Sequence, residues 1–182
     1  MSSTPDTRPV ISHPEVDSVV VGVVKAGDRE RQQEVAGAIV EHWRSVEWPD
    51  GLVAVNCFTS TQNDSVLTYE QWESEKALSA SLDDERHPGR APGSGATELV
   101  PYRLYKVVRG TAVGDPPPPA NSFPVAAFPM ESHEAARQWI EGLLKAEEAA
   151  ALTKVMRVDV GNSADELGSL YRHHTTLTRA GA

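Results

Sequence analysis

Trp72 closes the run Ser65-Val-Leu-Thr-Tyr-Glu-Gln-Trp72. If that run is extended, every second side chain turns to the same side. Val66, Thr68, Glu70 and Trp72 then share one face, and Leu67, Tyr69 and Gln71 share the other. An indole N–H only donates, and a threonine hydroxyl donates one hydrogen bond but is no base near neutral pH. Trp72 and Thr68 could therefore line and orient a small molecule together. A base would have to come from elsewhere, and His87 opens the next loop with Arg86 beside it. Imidazole as a group exchanges its proton near neutral pH, which suits proton abstraction from a phenol. Plainer readings stand beside these: Trp72 as a core aromatic, Arg86 and His87 as an exposed loop pair.

The elements that must carry these residues follow from patterning. Ser18 to Val24 is a β-branched run and reads as a strand. Asp28 can cap a helix whose Val35, Ile39, Trp43 and Val46 recur on one face. That helix stops before the turn signal Pro49-Asp-Gly51. Leu52 to Thr59 and Ser65 to Trp72 read as two strands of a hairpin around a polar tip. Ser74 can cap a second helix reaching about Asp83, and a Gly- and Pro-rich loop runs from His87 to Ala96. Leu99 to Arg109 reads as a fourth strand; Arg103 or Tyr105 could reach inward, with Pro101 leaving the parity open. Residues 1–17 read as a flexible arm, and Thr111 to Asn121, with Pro116 to Pro119, as an extended linker.

Beyond the linker the opening repeats. Phe123 to Met130 reads as a strand, Ser132 caps an amphipathic helix, and Thr153 to Val160 alternates like a strand. Residues 164–173 are expected to form one more helix, and His174 to Ala182 a loose tail. The expected class is α+β: one β-α-β-β-α-β unit over 18–110, followed over 122–182 by a partial second unit.

The hairpin carries a more specific pattern. Gly51-Leu52, Ser60-Thr61 and Val66-Leu-Thr-Tyr-Glu-Gln-Trp-Glu-Ser-Glu-Lys-Ala77 together resemble the antibiotic biosynthesis monooxygenase family, over about residues 18 to 109. The resemblance implies a ferredoxin-like dimeric α/β barrel and, with the shorter echo, a degenerate tandem repeat. It implies cofactor-free oxygenation: an aromatic polyketide, anthrone or quinol is deprotonated and its carbanion reacts with O₂. It implies Trp72, Thr68 and His87 as catalytic candidates, with Phe58, Tyr69, Arg86 and Arg103 as substrate-binding candidates. The anthrone-oxidising members carry Asn before the motif Tyr and His near the end of the preceding strand; here Thr68 and Phe58 stand there. That departure supports a second expectation, a non-catalytic binding or interaction module that keeps the barrel. Haem-degrading relatives expect an Asn near the first strand, and the sequence offers only His87.

Composition narrows the partners. A net charge of -9 and the lack of any Lys/Arg cluster argue against nucleic acid. No apolar run approaches the length of a membrane span, and no apolar core marks a secretory leader in residues 1–17. A cytoplasmic location is expected. Cys57, the one cysteine, lies in an apolar run and reads as a small buried hydrophobe. No nucleotide loop or metal-ligand spacing occurs, so no cofactor and no metal are expected. The expected partners are a small aromatic substrate, O₂, and a second copy of the chain or an internal pseudo-dimer.

Overall fold

A computed structural model gives the fold and describes residues 9, 11, 13–84, 87–90, 99–109, 122–127, 129–149, 155–161 and 167–179. It is a mixed α+β structure built on one seven-stranded antiparallel sheet. The first half is β1 (Ser18–Lys25), α1 (Arg29–Ser45), β2 (Leu52–Ser60), β3 (Ser65–Trp72), α2 (Glu75–Asp83) and β4 (Leu99–Arg109). The second is β5 (Ser122–Ala127), α3 (His133–Ala149), β6 (Val155–Gly161) and β7 (Leu167–Thr178).

Local chemistry explains the element ends. The Asp28 carboxylate accepts from the Arg31 N–H at 2.9 Å and caps α1. Ser74 Oγ accepts from Ala77 N–H at 3.2 Å and caps α2, and Ser132 Oγ accepts from Ala135 N–H at 3.1 Å at α3. Gly51, at φ 81°, turns the chain out of α1 into β2. A Cβ there would sit 2.5 Å from Ala77 Cβ, so both conformation and space demand glycine.

α1 buries Gln32, Ala36, Ile39, Val40 and Trp43 against one sheet face. The core on that side adds Val20, Val24, Leu52, Val55, Cys57, Val66, Trp72, Leu78 and Leu177. On the other face Phe58, Leu67 and Tyr171 form a separate cluster with Val21, Val23, Tyr69, Phe123 and Val125. The period-two alternation of β3 thus feeds two cores.

The sheet order is β5-β7-β2-β3-β1-β4-β6. Within it, β2-β3-β1-β4 is the ferredoxin-like arrangement expected for the first half. The second half joins both of its edges, β7 along β2 and β6 along β4. Pro101 is tolerated because β4 changes partners along its length. Leu99 to Arg103 pair with β1, and pairing with β6 begins only at Tyr102.

One expectation is corrected here. Residues 167–178 are a twelve-residue strand, neither a helix over 164–173 nor a loose tail from His174. β2 would otherwise be a long apolar edge, and an edge leaves backbone donors and acceptors unmet. The run Leu167-Gly-Ser-Leu-Tyr-Arg-His-His-Thr-Thr-Leu-Thr178, rich in threonine, meets them. Of the expected arm, residues 1–17, positions 1–8, 10 and 12 lie outside the described residues, as does the whole expected linker, residues 111–121.

Candidate active site

Three buried side chains meet on the helix-covered face. Glu70 is 0% exposed, Trp72 0% and His87 2%. Alternation on β3 puts Glu70 and Trp72 two residues apart on the same side. The indole N–H donates to Glu70 Oε2 at 3.3 Å. His87 Nε2 lies 3.3 Å from that same oxygen. This last contact is close enough for an ion pair but is not aligned as a hydrogen bond. The second carboxylate oxygen, Oε1, has no hydrogen-bond partner among the described residues.

His87 comes from the segment after α2 and is held in position from two elements. The Gly89 N–H donates to His87 Nδ1 at 3.0 Å. Nδ1 is therefore the acceptor, and neutral His87 carries its proton on Nε2, facing Glu70. α1 holds the segment from outside. His42 Nε2–H donates to the Pro88 carbonyl at 2.8 Å. Trp43 meets the His87 ring edge-on, with centroids 6.2 Å apart at 87°. The Trp72 ring lies 6.1 Å from His87, tilted by 31°. Gly89 fits closely: a Cβ there would lie 2.9 Å from Glu70 Oε1 and 3.1 Å from His87 Cε1. A carboxylate and an imidazole enclosed by two indoles form a proton donor–acceptor pair of low local dielectric.

The site residues expected from the sequence divide between the two faces. Thr68 shares the face of Glu70 and Trp72 and donates to the Gly22 carbonyl at 3.4 Å. Tyr69 and Phe58 belong to the opposite cluster, so neither meets Trp72 across one wall. Strand parity forces this for Tyr69. For Phe58, the register break in β2 between Leu52 and Ala54 puts it on the side of Ala54. Arg103 points to solvent and pairs with Glu75 at 3.0 Å, both side chains being more than half exposed. Arg86 lies outside the described residues. Among the described residues no group of three or more His, Cys, Asp or Glu could hold a metal ion.

Glu70 is the residue that reading the sequence for motifs passed over. Its signal was available: a charged residue between Thr68 and Trp72, at an inward position of a strand with two buried faces. Its partner was not readable, because His87 is seventeen positions away and arrives through a helix and a turn.

Fold and site define an α+β barrel-type protein with a sealed carboxylate–imidazole–indole cluster between sheet and helices. Among solved structures, it is similar to an anthrone oxidase-like protein at a TM-score of 0.62 and 14% identity, over 90% of this chain and 74% of that one. That likeness establishes the ferredoxin-like fold. A monooxygenase from the gene ActVA-Orf6 of Streptomyces coelicolor, in complex with nanaomycin D, aligns with a TM-score of 0.38 and 21% identity, over 55% of this chain and 97% of that one. No family model and no curated protein matches the chain. Among the described residues no helix is long and apolar enough to cross a membrane.

Proposed function

We propose that this chain is a monooxygenase-like protein acting, without cofactor, on an aromatic polyketide, anthrone or quinol with O₂. The observation that carries the reading is the buried Glu70–His87 contact beside Trp72. Glu70 Oε1 takes a proton from the activated C–H or O–H of the substrate. His87 Nε2 lies 3.3 Å from Oε2, and the Gly89 N–H keeps the imidazole in the tautomer with its proton on Nε2. Trp72 and Thr68 form the wall on the same strand. With an anthrone, the carbanion gives its electron pair to O₂ and a C–O bond forms. The hydroperoxide then loses water, so CH₂ and O₂ become C=O and H₂O. The substrate supplies all the reducing electrons, and the low dielectric strengthens the proton transfer. We also infer a cytoplasmic location, from composition alone.

The test is oxygen uptake with an anthrone and with a quinol, metals chelated. Uptake above buffer is expected, and Glu70→Gln, which keeps the shape but removes the base, should lower it by roughly 10²-fold or more. No uptake across several such substrates counts against the reading.

A second reading is supported by different observations. Glu70, Trp72 and His87 are at most 2% exposed, and Thr68 and Phe58 replace polar groups of the anthrone-oxidising pattern. The chain would then be a small-molecule-binding or interaction module that keeps the barrel without the chemistry. Saturable binding of an anthrone with no oxygen uptake is its signature.

A further inference from the structure

Trp43, Trp48 and Trp72, three of the four tryptophans in the chain, stand in one row with His87 between two of them. Trp48 lies just past the end of α1 and is only half-buried. Its ring meets Trp43 edge-on, with centroids 6.2 Å apart at 63°. Trp43 is 2% exposed and meets the His87 ring at 6.2 Å. His87 in turn meets the Trp72 ring at 6.1 Å. Ring-to-ring contacts thus lead from the partly exposed end of a helix to the buried face of β3.

The inner end of the row carries a proton acceptor. Trp72 and Glu70, two positions apart on β3, share a face, and both are 0% exposed. The indole N–H donates to Glu70 Oε2 at 3.3 Å. An indole that loses one electron becomes a cation and a strong N–H acid. Burying that cation, or the carboxylate beside it, is costly. Transfer of the N–H proton to Glu70 removes both charges at once. A neutral indolyl radical is then left beside a neutral carboxyl group.

We propose that Trp72 is a proton-coupled one-electron redox site, connected to the surface through His87, Trp43 and Trp48. One electron passes from Trp72 along the row to a one-electron oxidant at the surface, of the organic peroxyl-radical class, which is reduced to its anion. At Trp72 the N–H bond breaks and an O–H bond forms on Glu70 Oε2. An electron returned by a one-electron donor such as ascorbate reverses both changes. The oxidising equivalent rests on Trp72 because a carboxylate is placed there to take the proton. This inference needs no aromatic substrate and does not depend on oxygen chemistry at Glu70.

Trp139, on α3, is 42% exposed, so the experiment uses the full chain carrying Trp139→Phe. The chain is flash-oxidised, free of O₂ and of substrate, with a tris(bipyridine)ruthenium photo-oxidant. Transient absorption and freeze-quench electron paramagnetic resonance follow the radical. A neutral indolyl signal is expected to grow in and to vanish on adding ascorbate. Glu70→Gln keeps the shape but removes the acceptor, and should lower the neutral-radical yield by about tenfold or more, the scale of one hydrogen bond to a charged group. Trp48→Phe should abolish the fast growth of the signal. Trp72→Phe should remove the signal, with circular dichroism checking the fold; Glu70→Gln carries the assignment independently of that variant. A radical that rests on tyrosine, a neutral-radical yield unchanged by Glu70→Gln, or growth unchanged by Trp48→Phe overturns the proposal. Failure of oxygen uptake with an anthrone leaves these outcomes untouched, so the two readings fail separately.

Discussion

Gly89→Ala is the sharpest probe of the buried cluster, because a single methyl group meets three of its neighbours. The added Cβ would lie 2.9 Å from Glu70 Oε1, 3.1 Å from His87 Cε1 and 3.1 Å from Leu99 Cδ1. Relief by swinging the carboxylate is opposed, since its other oxygen is held between the Trp72 indole and His87. Sliding the Pro88–Arg90 turn outward is opposed too, by the 2.8 Å bond from His42 to the Pro88 carbonyl. Overpacking of this kind costs about 1–3 kcal/mol. In a chain of this size each kcal/mol moves the midpoint by roughly 2–4 °C, so Tm should fall by about 2–12 °C. Thermal unfolding followed by circular dichroism at neutral pH reads this, and tryptophan emission should change with it. A double-mutant cycle localises the cost: in a Glu70→Ala background, Gly89→Ala should cost less, with a coupling of at least about 0.5 kcal/mol. A Tm within about 1 °C of the parent, or costs that simply add, would falsify the packing of Gly89 against the carboxylate.

Four further outcomes follow from other parts of the molecule. Gln32 Nε2 lies within hydrogen-bond reach of Ser60 O, Ser60 Oγ and Ser65 O, so Gln32→Ala should destabilise by about 2–3 kcal/mol in urea titration, through buried acceptors left unmet. Burial pushes the Cys57 thiol up to about 12, so a disulfide reagent at pH 8 should label it only as the chain unfolds. Hydrogen bonds from Ser60, then Ser65, hold the Asp64 carboxyl below its ordinary value. A depressed folded value contributes stability above the unfolded value of 3.8, lost as pH falls through the folded one; Asp64→Asn should flatten that acid limb of a Tm-against-pH profile. Light scattering should return a monomer of 19.7 kDa, because β7 and β6 already cover the edges of β2 and β4; a stable dimer at micromolar concentration would count against internal pairing.

Much of the first half was legible because its signals are local. Asp28 and Ser74 are caps beside their own helices, Gly51 is needed by its own φ, and strict alternation settles which face of β3 carries Thr68 and Trp72. β7 was not legible, since Leu167 to Thr178 has no strong periodicity. What makes it a strand is the unpaired edge of β2, more than a hundred residues earlier. Arg103 illustrates the same limit: Pro101 obscured its parity, and its exposed pairing with Glu75 depends on how α2 and β4 lie.

The buried cluster divides in the same way. The sequence by itself determined that Glu70 and Trp72 share a face, because strand periodicity is a property of the backbone. It also determined that Cys57 is buried, because the run around it is apolar. Only the tertiary structure decided that His87 closes on Glu70, and that Trp43 and Trp48 line up with it. Those contacts join α1 to β3 and hinge on a turn at Gly89. A one-residue slip reverses every side chain of a strand, so such meetings are fixed by packing across the whole sheet and not by any local signal.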